Sequence, residues 1–345
     1  MFLIKQRASR YALLAILITW AFGLPTTNAQ TFHLSDATDL VPVNVKAAAA
    51  EYKGRKAVLI TRDVPKAGEV FKDGFALLKG VDFQDGTIEG EIALKVTAPV
   101  GAPGMSRMPG FVGIAFRARP DASRYDLFYL RPGNSTSDDQ SMRNHSVQYT
   151  SEPDYGWSKL RRQWPWVYEA WADLKTETWT KIKIEVKGRS AKLFVNGSEQ
   201  PSLVVDGLKG EDLRGGIALW GYPDEEAYFS NFHIVNWPPA PVKNGSEAAG
   251  SWQVTLGNYR GTLQLKRDGN KLAGNWSGAV GKAHAVTGTW RNGYIELSFD
   301  TEWGNPANPT IAPALLVGWI DGDAGSGRMS VTNLADGRWT AMRKP

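Results

Sequence analysis

The stretch Arg131 to Leu174 mixes rings and hydrogen-bonding side chains more densely than the rest of the chain. It carries Tyr149, Tyr155, Trp157, Trp164, Trp166, Tyr168 and Trp171. Between them stand Arg131, Asn134, Asp138, Asp139, Gln140, Arg143, Asn144, His145 and Gln148. A sugar ring has an apolar C–H face and a hydroxyl edge. Flat aromatic rings cover the face, and Arg, Asn and Gln pair the edge in fixed directions, the usual form of a small-ligand site. The reading is a carbohydrate site with Arg131, Asn134, Gln140, Arg143 and Asn144 as polar contacts. Tyr149, Tyr155, Trp157 and Trp164 are its expected stacking surfaces.

Asp139 and His145 are the candidate catalytic groups if the site turns its ligand over. Glycoside hydrolysis needs two carboxylates across the scissile bond, and Asp138, Asp139, Glu152, Asp154, Glu169 and Asp173 supply candidates. A lyase would instead use Tyr149, His145 and Arg143 to move a proton beside a carboxylate. The E-x-D-x-x-E strand motif of jelly-roll endoglucanases is absent. A third reading needs no ligand: the aromatics pack as a satellite core, or the module binds protein. Arg131 and Arg143 would then pair Asp138 and Asp139.

Composition removes other chemistries. With no cysteine, the chain has no disulfide, no Cys-ligated zinc or iron–sulfur centre and no Cys nucleophile. The G-x-S-x-G, H-E-x-x-H, phosphate-loop and dinucleotide patterns are missing as well. His33, His233 and His284 lack metal-ligand spacing. No cofactor is expected; Asp138 and Asp139 would suit calcium, but the D-x-[DN]-x-[DN]-G loop is absent.

The elements that position these residues read as strands. In Thr180–Lys187, Ile182, Ile184 and Val186 alternate with lysines and Glu185, and Gly188-Arg189 turns the chain into Ala191, Leu193 and Val195. This is a hairpin with one buried face. Further strands are expected at Ala57–Thr61, Thr87–Val96, Phe111–Ala118, Tyr125–Leu130, Ser146–Thr150, Gly216–Trp220 and Ala227–Val235, with a short helical turn at Tyr168–Leu174. Many short strands imply a two-sheet sandwich over residues 30–237. The Pro-rich stretch from Trp237 marks a linker, placed at 238–249. Residues 250–345 then alternate strands with tight turns such as Asn292-Gly293, which predicts a small up-and-down β-barrel. Trp252, Trp276, Trp290, Trp303, Trp319 and Trp339 suit either a ligand in the barrel mouth or a packed interior. The fold class is all-β.

At the N-terminus, Lys5, Arg7 and Arg10 precede the apolar run Tyr11–Leu24, then Pro25, Thr27 and Ala29. This is the pattern of a signal peptide spanning 1–29, too short in its apolar run to cross a bilayer comfortably. Its removal takes three positive charges from the formal +5. The remaining chain has no basic tract suited to nucleic acid. The expected location is periplasmic or secreted, with no membrane partner after cleavage.

Three stretches carry a family resemblance: Val81–Glu91 (VDFQDGTIEGE), Gly113–Arg117 (GIAFR) and Trp179–Gly197, followed by Ala227–Ile234 (AYFSNFHI). Together they resemble the concanavalin A-like lectin and glucanase superfamily over about residues 50–236. Laminin-G-like domains and the keto-disaccharide-hydrolase-like domains of secreted bacterial proteins are the nearest members. The resemblance implies a jelly roll, but that superfamily spans lectins, hydrolases, lyases and adhesion modules, so fold does not choose the activity. The C-terminal unit resembles lipocalin-like or avidin-like barrels in its G-x-W opening and its Leu272-Ala273-Gly274 to Val286-Thr287-Gly288 rhythm.

Overall fold

Alternating side chains and tight turns give this chain strands almost throughout. The computed structural model describes residues 28–63, 72–96, 110–211, 214–223, 225–238, 247–278, 284–331 and 335–345. Fifteen strands build the first unit. They are β1 (Asn28–Phe32), β2 (Leu40–Val43), β3 (Lys46–Tyr52), β4 (Arg55–Thr61), β5 (Phe75–Leu78), β6 (Gly86–Val96), β7 (Val112–Ala118) and β8 (Tyr125–Leu130), then β9 (Val147–Glu152), β10 (Glu169–Ala170), β11 (Thr180–Lys187), β12 (Ser190–Val195), β13 (Leu203–Asp206), β14 (Gly216–Gly221) and β15 (Glu225–Asn236). Short helices α1 (Pro132–Ser135), α2 (Gln140–Arg143) and α3 (Trp157–Gln163) interrupt the run between β8 and β10.

The strands form two antiparallel sheets. One has the order β13-β12-β11-β6-β15-β4-β3, with β1 also on β15; the other runs β10-β9-β8-β7-β14-β5-β2. The hairpin read from TKIKIEVK is β11–β12, with Lys187 opposite Ser190 across the Gly188-Arg189 turn. The long β15 serves three partners. Its first half pairs β4 at Ala227–Phe229, and its second half pairs β1 from Phe232 to Asn236. Where a short helical turn was expected at Tyr168–Leu174, Glu169 and Ala170 instead pair β9 opposite Gln148 and Val147.

The main core lies between the sheets. Ile88, Ile92, Ile182 and Ile184 from one meet Ile114, Phe116, Phe128 and Leu219 from the other. At the sandwich end, Arg117 and Asp85 form a fully buried pair, Nη2 to Oδ1 3.0 Å. Arg117 also donates to the Gln84 and Gly188 carbonyls, which satisfies much of the charge that burial would otherwise strand.

The expected export segment, apart from Asn28 and Ala29, lies outside the described residues, as does 239–246 of the proline-rich linker. The second unit is a closed barrel of sequential antiparallel strands. They are β16 (Gly250–Leu256), β17 (Tyr259–Asp268), β18 (Lys271–Gly278), β19 (His284–Arg291), β20 (Tyr294–Trp303), β21 (Thr310–Asp321), β22 (Ala324–Val331) and β23 (Ala335–Arg343). The architecture is therefore the all-β sandwich and up-and-down barrel that the sequence pattern implies.

Sandwich and barrel share a contact. Tyr294, Val317 and Trp319 of the barrel join the sandwich core. Trp319 Nε1 donates to the Leu208 carbonyl at 2.9 Å, and Tyr155 OH donates to Glu296 Oε1 at 2.8 Å. Lys209 is fully enclosed there. Its Nζ lies 3.6 Å from the Trp164 ring centroid and donates to Tyr294 OH. Burial holds its ammonium well below the ordinary lysine range.

Candidate functional site

The outer face of the seven-stranded sheet is where polar and aromatic side chains collect around a cavity. In a strand, successive side chains point to opposite faces. Along β8, Phe128 and Leu130 therefore enter the inter-sheet core, while Tyr125, Leu127 and Tyr129 face outwards. Along β9, Val147 and Tyr149 go inwards, and Gln148, Thr150 and Glu152 face outwards. Gly113 of β7 lets this sheet pack closely, since a Cβ there would stand 2.4 Å from the Phe128 carbonyl oxygen. The result is an open cavity of about 820 Å³ over the outward residues of β8 and β9, roofed at one side by α3.

One wall is an aromatic belt. Phe111 lies 5.8 Å from Tyr129 and 4.7 Å from Tyr222, and Trp220 lies 5.8 Å from Tyr129 and 6.1 Å from Tyr222 between ring centroids. Trp157, at 54% exposure, stands on the rim with the Arg161 guanidinium 5.0 Å over its ring. The Trp220 indole N–H is buried without an acceptor among the described residues. Such a group is one that an incoming hydroxyl can satisfy.

The far end holds a polar relay centred on Glu169. Tyr129 OH donates to Gln148 Oε1 at 2.7 Å, and Gln148 Nε2 donates to Glu169 Oε2 at 2.5 Å. Arg161 reaches the same carboxylate with Nε and Nη2, the latter at 2.8 Å. His145 Nδ1 lies 2.8 Å from Glu169 Oε2, and its ring stacks on Trp166 at 5.1 Å. Burial lowers the His145 pKa and outweighs the opposing pull of Glu169. Burial raises that of Tyr129, so its hydroxyl keeps its proton.

The near end holds carboxylates. Tyr125 OH donates to Asp73 Oδ2, and Arg62 Nη1 donates to Asp73 Oδ1 at 3.1 Å. Burial, reinforced by the Asp73 carboxylate, pushes Glu152 up to about 6. Asp154 at the mouth pairs Arg124 at 2.9 Å and Arg291 of the barrel at 3.2 Å.

The structure divides the residues picked from sequence into three groups. Arg131, His145 and Trp157 line the cavity. Asn134, Tyr149, Tyr155 and Trp164 are buried, Trp164 at 1% exposure, and have no face open to a sugar. Asn134 Nδ2 donates to the Met142 carbonyl, Tyr149 OH donates to Asp126 Oδ1 at 2.6 Å, and Tyr155 holds the barrel. Asp139, Gln140, Arg143 and Asn144 belong to the α2 turn rather than to the cavity wall. Asp139 caps that helix by accepting from Ser141 N at 2.8 Å, and its low pKa follows from this bond. Gln140 bonds Asn144 and Arg143, while Arg143 donates to the Ser137 carbonyl instead of pairing Asp138 or Asp139. The lyase trio of Tyr149, His145 and Arg143 is thus not brought together: only His145 lines the cavity.

Sequence reading did not single out Tyr129, Phe111, Trp220, Tyr222, Arg161 or Asp73 for the site. The outward alternation in Tyr125-x-Leu127-x-Tyr129 and the Trp220-x-Tyr222 spacing were the available signals; Asp73 offered none. Among the described residues, no three His, Asp or Glu side chains gather as a metal site. No described helix is long and apolar enough to cross a membrane.

No family model matches this sequence, and no curated protein matches it. Solved structures do resemble it. The carbohydrate-binding module CBM66 from Bacillus subtilis aligns over 56% of this chain and 94% of its own, at 17% identity and a TM-score of 0.36. A lectin from Bauhinia forficata in complex with GalNAc covers 60% of this chain and 98% of its own, at 10% identity and a TM-score of 0.34. An endo-β-galactosidase from Clostridium perfringens covers 92% and 97%, at 8% identity and a TM-score of 0.29. At scores this low, what those proteins bind or cleave is a statement about them alone.

Proposed function

We propose that this protein binds carbohydrate on the outer face of its seven-stranded sheet. The observation that carries the reading is the cavity of about 820 Å³, with its belt of Phe111, Tyr129, Trp220 and Tyr222 facing Gln148, His145 and Arg131. Rings supply the stacking face, and convergent polar groups supply direction. Calorimetric titration with a panel of oligosaccharides tests it. Saturable binding is expected, with a loss of about tenfold or more in Trp157→Ala at unchanged melting temperature, as for removal of an aromatic anchor. A silent panel, or full affinity in that variant, removes the reading.

A second reading is favoured by Glu152. A carboxyl that titrates near 6 in a cavity shared with the Asp73 carboxylate has the properties of a proton donor for glycoside hydrolysis. Product analysis of each titration mixture decides between them. Hydrolysis abolished in Glu152→Gln and Asp73→Asn supports the enzyme, and bound but intact saccharide supports a binding module.

The export reading is also a proposal. Cleavage after Ala29 would trim Asn28 and Ala29 from β1 and leave Gln30–Phe32 paired with Phe232–Ile234. N-terminal sequencing of the protein recovered outside the cytoplasm tests it; a start at Met1 rejects it.

A further inference from the structure

Arg131 lines the cavity with a largely buried guanidinium that pairs no carboxylate among the described residues. It is only 9% exposed, and its Nε is buried with no acceptor. Its side chain makes no hydrogen bond or ion pair with any described residue, and the Phe111 ring centroid lies 4.6 Å from its Cζ. Burying a cation without a counter-charge is costly, so an arginine that lines a cavity unpaired among the described residues is suited to an anion brought in from solvent.

The neighbouring charges are already spoken for. Glu169, the carboxylate at this end, takes Arg161 through two nitrogens and lies 2.8 Å from His145. Glu225 also acts on Arg131 electrostatically, but its carboxylate accepts from the backbone N–H groups of Gly110 and Phe111. Asp73 and Asp154, on the other side of the cavity, pair Arg62, Arg124 and Arg291. Arg161 takes Glu169 and Glu225 stands beyond ion-pair distance, so Arg131 brings to the cavity a positive charge with no carboxylate in contact. Lys159 and Arg162 add to it at the rim.

We propose that the saccharide taken by this cavity is anionic, and that its carboxylate or sulfate pairs with Arg131. This rests on the carbohydrate reading above. A guanidinium presents a planar fork of donors that fits two oxygens of either anion at once. A neutral sugar could offer a hydroxyl to Nε but could not cancel the charge. The Phe111 ring behind the guanidinium fixes the plane in which the fork is offered.

The test titrates the full chain with three probes: an oligogalacturonate, the same oligomer with its carboxyls reduced to the neutral galactan, and a sulfated galactan of equal length. At least one anionic probe is expected to bind about tenfold or more tighter than the neutral one, as for a hydrogen bond to a charged partner. Whichever anion leads identifies the source. In Arg131→Gln that preference should vanish, and Arg131→Lys should keep part of it. If Arg131→Gln does not fold, the salt dependence of wild-type and Arg131→Lys binding replaces it, with a steeper fall expected for the anionic probe. Equal affinity for charged and neutral oligomers overturns this proposal and leaves the carbohydrate reading standing. So does a preference that survives in Arg131→Gln, or a salt dependence that does not differ between probes. Failure of all three probes to bind counts against both.

Discussion

Barrel interior and outer sandwich face are both rich in large aromatic residues, and they use them in opposite ways. Inside the barrel, Trp252, Trp276 and Trp339 are fully buried among leucines and valines. Trp252 Nε1 donates to the Ala248 carbonyl and Trp339 Nε1 to the Val317 carbonyl, each at 2.9 Å. These rings fill the tube, as the interior of a small barrel requires. On the sandwich face the Trp220 indole and the Arg131 guanidinium keep nitrogens without acceptors, and Trp157 stands in solvent. Aromatic content alone therefore does not mark a site. What distinguishes the face is that polar capacity left unused beside the rings opens onto a large cavity.

The contrast is open to direct attack. The largest effect should come from Trp339→Ala, which empties the barrel centre and removes the indole bond to the Val317 carbonyl. Urea unfolding should show a loss of about 3–5 kcal/mol, the usual cost of truncating a buried Trp. A loss below about 1 kcal/mol would mean the barrel is not packed as described.

Next comes Glu152→Gln. The Glu152 carboxyl is raised from 4.5 to about 6, so the folded state holds its proton more tightly than the unfolded chain. The wild type should therefore lose stability as pH rises from about 4.5 through 6, by at most about 2 kcal/mol. Glutamine should flatten that part of the profile and be the more stable variant at pH 7.5. Parallel profiles for the two proteins would place Glu152 in water rather than in the cavity wall.

The smallest effect is expected from Trp220→Phe, which keeps an aromatic ring in the belt but removes the free N–H with part of the indole. Saccharide affinity should fall by about 1 kcal/mol, one hydrogen bond. Affinity equal to wild type would show that this nitrogen is not offered to ligand.

Much of the fold was legible because one face of a strand is usually wet. The β11–β12 hairpin and the barrel meander announce themselves through alternation and through turns at Gly188, Asn196-Gly197 and Asn292-Gly293, where the backbone takes positive φ. The alanine-rich β3, KAAAAEY, does not, because alanine favours helix and its strand state comes from pairing with β4. In β8 the period disappears, since all of Tyr125–Leu130 is buried, half against the opposite sheet and half beneath the cavity. The site was harder for a related reason. Tyr149 and Gln148 are adjacent, and a single residue of parity decides which enters the core and which faces the cavity. Composition pointed to a segment that supplies part of the cavity wall but could not supply that parity. Nor could it show that Asp73, far upstream in sequence, meets Glu152.

Lys209 has a consequence for how this architecture can change over evolutionary time. Appended domains are commonly exchanged as self-contained parts, joined by a linker and indifferent to their neighbour. Here the sandwich encloses an amine whose hydroxyl partner, Tyr294, belongs to the barrel, and the Trp319 indole crosses the same boundary to Leu208. A recombination event that replaced the barrel would have to bring a matching tyrosine and indole, or change Lys209 as well. The pair is bound to be inherited together, and gene-level modularity stops at this lysine.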